Sequence, residues 1–222
     1  MEIHRTPRRA AVTGWILGIS LLLSAPFAHA IDYVSQKPLT QLVKTQAKPW
    51  TGSPDSLKVP LIAWGGDMQT ILANGNQRKT AADSIFAQKG LNLELFREDT
   101  FSKQVEAYLK GETPFLRGTV GMLNMAAELT NAQSHTEMIA IYQLTWSAGG
   151  DALVVKDNIA KPADLKGKTI ALQAYGPHVD YLTTVLSSIG LSVNDVNLKW
   201  LPDLFEIDAN SNSPAMALMD DP

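Results

Sequence analysis

The chain has 222 residues, a formal charge of −3 and 45% hydrophobic residues, enough to bury a core in one large domain or two small ones. Its sequence has no basic patch typical of nucleic-acid binding, so we expect no DNA or RNA partner. Because cysteine is absent, disulfides, thiolate metal sites and cysteine nucleophiles are excluded. The four histidines are scattered, and we expect neither a metal site nor a cofactor.

The first 30 residues have the pattern of a cleavable signal peptide. Arg5, Arg8 and Arg9 precede a short apolar stretch at 15–23, and the small-residue motif A-H-A at 28–30 fits a cleavage site. The apolar stretch is shorter than the roughly 20 residues that a membrane-spanning helix needs. We therefore predict export, and a chain without cysteine fits a bacterial periplasm better than a disulfide-held extracellular module.

The chain enters its fold through a polar segment and a strand. Residues 31–56 are interrupted by three prolines, which predicts an irregular lead-in over the surface. An apolar strand at 58–64 then ends at Gly65-Gly66-Asp67, where glycine lets the backbone approach a ligand or another segment and Asp67 is placed to cap the next helix. The pattern fits a tight strand-to-helix turn as well as it fits a binding loop.

The next segment alternates between helix and strand repeats. Apolar residues three and four apart, such as Phe101, Val105 and Tyr108, indicate a helix, whereas the continuous run at 137–145 is typical of a strand buried on both faces. In chain order we predict a helix at 80–88, a strand at 91–96, a helix at 101–109, a strand at 116–120, a methionine- and alanine-rich helix after Gly121, and a strand at 137–145.

Trp146 and the glycines that follow it interrupt this pattern, and a strand resumes at 152–155. We place a crossing between two domains there. Further on, a strand is predicted at 196–200 and the first turns of a helix at 214–219, after a polar stretch at 208–213. Since no strand follows that helix, we expect the second domain to be incomplete at its carboxyl end.

Residues 161–190 form the clearest strand-and-helix unit. A turn at Gly167 feeds a strand at 169–172, and a helix is predicted from Pro177 until a glycine ends it. The carboxyl end of the strand therefore meets the amino end of a helix at 174–178. Open α/β sheets place ligands at such junctions, where free N–H groups suit an anion, but an ordinary strand-to-helix turn has the same pattern.

No catalytic motif is present, since the sequence has no G-x-S-x-G elbow, P-loop, H-E-x-x-H pair or G-x-G-x-x-G turn. Asp67, Asp151 and His178 form a base and its orienting group only if the fold brings them together. Glycines instead follow several predicted strand ends, and such ends converging on a cleft bind small molecules through backbone N–H groups. The aromatic residues expected to wall this cleft are Trp64, Trp146 and Tyr175.

Three stretches resemble the periplasmic substrate-binding proteins of ABC importers. They are K-V-P-L-I-A-W at 58–64, V-E-A-Y-L-K-G-E at 105–112 and, most specifically, K-P-A-D-L-K-G-K-T-I-A-L at 161–172. Within that class the chain is most similar to the nitrate, sulfonate and taurine branch, over residues from 57 onward. The resemblance implies a monomer that holds a small-molecule ligand between two lobes and delivers it to an ABC permease in the inner membrane.

The implied fold class is α/β, a two-lobe periplasmic-binding-protein type II fold with a truncated second lobe. The first lobe is expected at 57–146 and the second at 147–222. The resemblance gives three ligand-facing loops, which lie after the first strand, at the turn from Gly121 to Asn124, and at the turn after the 169–172 strand. With the aromatic walls, the expected ligand-binding residues are Trp64, Gly65, Gly66, Asp67, Gly121, Asn124, Trp146, Tyr175, Gly176, Pro177 and His178.

The third loop bears on the ligand. Proteins of this branch commonly carry hydroxyl side chains there, whereas this chain has Gly176-Pro177-His178, so the ligand's identity stays open. Helix N–H groups and a protonated His178 favour an anion, and Asp180 partly occupies the same helix dipole. We expect an anionic or zwitterionic solute.

Two alternatives to a solute-binding protein stay open. A pyrimidine-precursor synthase shares the implied fold, but its chemistry is cytoplasmic and needs a catalytic histidine, whereas the signal pattern predicts export. A periplasmic sensor lobe would instead present its ligand to a membrane receptor. We expect binding and delivery, not catalysis.

Overall fold

The computed structural model describes residues 31–204 and 212–220. The predicted signal peptide at 1–30 and most of the polar stretch at 208–213 lie outside the described residues. Within the described ranges, none of the helices combines the length and the apolar content that a membrane span needs.

In the described ranges, the fold contains two parallel sheets of two strands each. Their strands are β1 (Leu57–Leu61) with β2 (Leu93–Arg97), and β3 (Thr169–Gln173) with β4 (Asn197–Leu201). Helices lie between the paired strands, as parallel pairing requires a crossover connection. The α-helices are α1 (Leu39–Leu42), α2 (Met68–Ala73), α3 (Ile85–Gln88), α4 (Phe101–Leu109), α5 (Val120–Thr130), α6 (His178–Ser188) and α7 (Pro214–Asp220).

Each sheet packs its own apolar cluster, and helices α4 and α5 form a third. Leu61, Leu93 and Leu95 of β1 and β2 are buried together. Phe101, Val105 and Leu109 lie one turn apart on α4 and are buried against Met122 and Ala126 of α5. In the second half, one face of α6 covers β3. The residues of that second cluster are Leu165, Ile170, Leu172, Leu182, Leu186 and Val196. The mixed α/β architecture confirms the α/β class, while the two lobes and their boundary at 146 stay predictions.

The lead-in is more ordered than the prediction of an irregular segment. It contains α1, and Leu39 and Val43 join the α4–α5 cluster with 5% of their surface exposed. The backbone N–H of Val34 donates to the carbonyl of Trp200 at 2.9 Å, and that of Lys48 to the carbonyl of Leu109 at 2.8 Å. The prolines interrupt any regular hydrophobic pattern in this segment, so its sequence does not predict regular structure. Packing against distant residues orders the segment instead.

Three predicted strands are absent from the described structure. Residues 116–120, 137–145 and 152–155 form no strand, and the predicted burial of the second segment is wrong, because Ile139 is 81% exposed and Ile141 is 74% exposed. Their apolar, β-branched composition suits a strand, but a strand exists only when another strand accepts its N–H and C=O groups. No described strand pairs with these segments.

The packing of α1 gives a stability prediction. Leu39→Ala should lower the free energy of unfolding by about 2–4 kcal/mol, because it leaves a cavity in the α4–α5 cluster. Leu42→Ala is a matched control on the same helix, since Leu42 is 41% exposed, and it should change the value by about 0.5 kcal/mol. Urea unfolding of both variants measures the difference; equal losses would show that the lead-in is not docked as described.

A capping box before β4 gives a pH prediction. Asp195 Oδ2 accepts hydrogen bonds from the backbone N–H and the hydroxyl of Ser192, both at 2.9 Å. These two hydrogen bonds hold the pKa of Asp195 below its ordinary value, and the backbone bond has the larger effect. A depressed folded pKa means that the cap stabilises the turn above the unfolded pKa and is lost as pH falls through the folded pKa.

Ser192→Ala should therefore raise the pKa of Asp195 toward its ordinary value, which an NMR titration of the carboxyl carbon measures. Ser188→Ala is the control, because the Ser188 hydroxyl donates to the carbonyl of Val185 instead. A pKa of Asp195 that is the same in wild type and in Ser192→Ala would contradict the role of the hydroxyl.

Candidate functional site

The carboxyl ends of the two sheets meet. The side-chain amide of Gln173, at the end of β3, donates to the backbone carbonyls of Asp99 and Pro202, each at 3.3 Å. Asp99 lies just beyond β2, and its carboxylate accepts a hydrogen bond from the N–H of Ala63 beyond β1 at 2.5 Å. All four strands therefore point their ends at one region, which is where parallel α/β sheets bind ligands.

The first predicted loop is packed closely. The indole N–H of Trp64 donates to the hydroxyl of Thr145 at 2.9 Å, so this ring is fixed against the segment before Trp146. Gly66 lies under the ring, where any side chain would overlap the indole and the Thr145 methyl group. Gly65 is exposed, and Trp146 is 80% exposed and forms no buried wall in the described structure.

Asp67 does not cap α2, so that prediction is wrong. Its side chain is almost fully buried, at 1% exposure, and turns back to accept the N–H of Ile62 at 3.0 Å. The Nε of Arg117 donates to the other oxygen at 2.8 Å, while Nη2 lies 2.7 Å from it at an angle unsuited to a hydrogen bond. A buried carboxylate needs a cation nearby. The Asp67 side chain therefore pairs with Arg117 instead of accepting an N–H at the start of α2.

The second predicted loop abuts the third. Thr119 caps α5 by accepting the N–H of Met122 at 3.2 Å. A side chain at Gly121, in the first turn of α5, would overlap the carboxylate of Asp180 in the first turn of α6. Asp180 therefore lies against the positive ends of two helices rather than one. Asn124 is exposed on α5, one turn after Gly121.

His178 and Asp151 are brought together, which local sequence did not show. Nε2 of His178 lies 3.2 Å from Oδ1 of Asp151, and the hydroxyl of Ser147 donates to Oδ2 of the same carboxylate. The aspartate stands between the serine and the histidine, so His178 does not take the serine's proton as a base does in a Ser-His-Asp triad. Asp67 pairs with Arg117 instead. Asp67, Asp151 and His178 therefore do not assemble as a base and its orienting group.

The remaining residues of the third loop contact two different parts of the protein. Pro177 is the residue before α6 rather than its first residue, and buried Gly176 packs on the side chain of Gln173. Tyr175 has a φ of +58°, unusual for a residue with a side chain. Its hydroxyl donates to the carbonyl of Lys37 at 2.5 Å and accepts the N–H of Lys37 at 3.1 Å, so this ring faces the lead-in.

A cleft of about 400 Å³ lies beside Tyr175, between the lead-in, α5, α6 and β4. Sequence reasoning missed Lys37, Glu128 and Trp200 in its lining, because the lead-in was predicted as irregular and methionine and glutamate on a helix look like ordinary core and surface residues. The lining residues are Gln36, Lys37, Pro38, Leu39, Thr40, Met125, Glu128, Ala174, Tyr175, Val179 and Trp200. In the described residues, no three His, Asp or Glu side chains are grouped to hold a metal ion.

Comparison with known proteins gives one family. The model of the family described as NMT1/THI5 like matches residues 83–204, which include α4, α5, the segment 137–155, β3, α6 and β4. No curated protein and no solved structure matches the chain significantly.

The buried ion pair gives a prediction for this region. Arg117→Ala should lower the free energy of unfolding by about 3–5 kcal/mol, because it leaves the buried Asp67 carboxylate without its cation. Arg78→Ala is the matched control, since Arg78 also pairs with a carboxylate, at 3.3 Å from Glu94, but is 71% exposed. That change should cost about 1 kcal/mol or less in urea unfolding. A small loss for both would show that the Arg117 pair adds no more than a surface pair.

Proposed function

Because the chain belongs to the NMT1/THI5-like family, we propose that it is a solute-binding protein that captures a small molecule and delivers it to an ABC-type membrane importer. This family comprises periplasmic binding proteins of nitrate, sulfonate and taurine ABC transporters, and it also includes enzyme-like members. The sequence pattern at 1–30 supports export to the periplasm, where such a protein meets its permease.

The observation that carries the proposal is the meeting of two helix starts at the strand ends. The first turns of α5 and α6 touch through Gly121 and Asp180, next to His178. The positive ends of two helix dipoles favour a negative charge there. The carboxylate of Asp180 already lies at this point, so it marks the position that an anionic group of the solute would take.

Asp180 also affects the affinity. A second anion beside an aspartate is repelled, and a solute must displace the Asp180 side chain or share the site with it. Asp180 is on the exposed side of α6, so its side chain is free to swing into water. An anionic or zwitterionic solute that displaces it is the ligand class that this geometry supports best.

A second candidate function is an enzyme of the THI5-like kind, favoured by the His178–Asp151 pair at 3.2 Å. A carboxylate that accepts a ring N–H fixes the histidine tautomer and orients the ring for proton transfer. Product formation by the purified protein from a candidate pyrimidine precursor, lost in His178→Ala, would favour this function over binding alone.

A thermal-shift screen of the exported protein tests the binding function. The panel contains taurine, another alkanesulfonate, nitrate, bicarbonate, amino acids and pyrimidines. A solute that binds the native state alone adds about 2.7 kcal/mol at 100 times its Kd, which raises the Tm. If the folded protein responds to no member, the solute-binding proposal loses its support.

Charge variants test where the anion binds. Asp180→Asn should tighten the binding of an anionic hit several-fold, because it removes a competing charge, whereas His178→Ala should weaken it. Asp157→Asn is the matched control, since Asp157 is exposed and lies outside the helix starts. Calorimetric Kd values decide: weaker binding in Asp180→Asn would mean that this carboxylate holds the solute instead of competing with it.

A further inference from the structure

The cleft beside Tyr175 is a separate feature from the meeting point of α5 and α6. We propose that it is a second binding site, which takes a small zwitterionic solute with an aromatic or branched apolar body, such as a free amino acid. Its lining includes neither Gly121 nor His178, and it draws on the lead-in, the later turns of α5 and the end of β4. It therefore goes beyond the function proposed above.

The size and surface of the cleft suit a small solute. Its volume of about 400 Å³ is near the lower end of the range for small-molecule sites, which is roughly 300–1,000 Å³. Tyr175 and Trp200 contribute aromatic rings, and Met125 and Val179 contribute flexible and branched apolar surface. An apolar body with a ring gains from burial and from aromatic contacts in such a cleft.

The walls of the cleft are tied together before any solute arrives. The Tyr175 hydroxyl bonds both backbone groups of Lys37, and the N–H of Val34 donates to the carbonyl of Trp200 at 2.9 Å. Leu39 anchors the same segment in the core at 5% exposure. A lining that is already ordered loses little conformational entropy on binding, which leaves more of the contact energy for affinity.

The left-handed backbone of Tyr175 supports a functional role. A φ of +58° is unfavourable for a residue with a side chain, and such residues persist where the surrounding contacts hold them. Here the two Lys37 hydrogen bonds hold the ring at the edge of the cleft, where glycine or asparagine would satisfy the turn without strain. The strained turn is thus explained by the position that it gives to the ring.

Two opposite charges select the solute. Lys37 and Glu128 both line the cleft, and within the described chain neither side chain has an ion pair or a side-chain hydrogen bond. The nearby Lys199 is engaged elsewhere, 5.1 Å from the centre of the Tyr33 ring. A solute with one charge meets a like charge in this cleft, whereas an ammonium and a carboxylate on one molecule meet Glu128 and Lys37.

Isothermal titration of the full chain with L-phenylalanine tests the site. We expect measurable binding, and we expect phenethylamine and 3-phenylpropionate, which each keep one of the two charges, to bind at least tenfold more weakly. Absence of binding by L-phenylalanine and by L-leucine would overturn the proposal. Equal binding of the three phenyl compounds would overturn the assignment of a zwitterion.

Variants locate the binding. Glu128→Gln should weaken the binding of L-phenylalanine at least tenfold. Glu137→Gln is the matched control, since Glu137 is also an exposed glutamate, and it should leave the affinity unchanged.

Tyr175→Phe keeps the ring but removes the hydroxyl that bonds Lys37. It should therefore weaken the binding of L-phenylalanine and increase amide hydrogen exchange at 34–43. Tyr142→Phe is the control, since Tyr142 is 76% exposed, and it should change neither the affinity nor the exchange.

His178→Ala separates this site from the one proposed above. It should leave the affinity for L-phenylalanine unchanged even where it weakens the binding of an anionic solute found in the screen. Either of the two proposed sites can therefore be disproved without disproving the other. If His178→Ala weakens L-phenylalanine while Glu128→Gln does not, the solute binds at the helix starts and the second site is overturned.

Discussion

The region where the strands end depends on the buried pair of Asp67 and Arg117. The pair joins the loop after β1 to the chain before α5, and the Arg117 N–H also donates to Gln104 of α4 at 3.1 Å. A buried charge is tolerable only with a partner, so this contact fixes three elements relative to one another. Both oxygens of Asp67 are engaged within the protein, one by the N–H of Ile62 and the other by Arg117.

The glycines and the helix starts then acquire different roles. Gly66 is required by the Trp64 ring, so part of the first loop is a packing feature, while Gly121 makes room for the carboxylate of Asp180. At this point a resident anion, the Asp180 carboxylate, therefore lies against the first turns of two helices. The positive ends of both helix dipoles favour a negative charge there, which is the basis of the ligand class proposed above.

Regular elements could be predicted wherever one face of the element is apolar and its neighbours in sequence supply the pattern. The predicted helix at 101–109 and the predicted strand at 169–172 are confirmed, the strand extending one residue further to Gln173. The strands predicted at 137–145 and 152–155 were wrong because pairing is a property of two segments and the pattern describes one. Arg117 was missed because its partner Asp67 lies 50 positions away in sequence. Lys37 and Glu128 were missed because the cleft that they line is formed by segments far apart in sequence.

The sequence by itself determined the α/β class, the order of most elements and the three loops at which a ligand was expected, since these follow from periodicity, glycine placement and family motifs. Only the tertiary structure decided which contacts those residues make within the protein. It buried Asp67 against Arg117, placed Asp180 on Gly121, paired His178 with Asp151 and turned Tyr175 to the lead-in. The physical reason is that hydrogen bonds and ion pairs act over a few ångströms between residues up to 180 positions apart, a separation that no local pattern encodes.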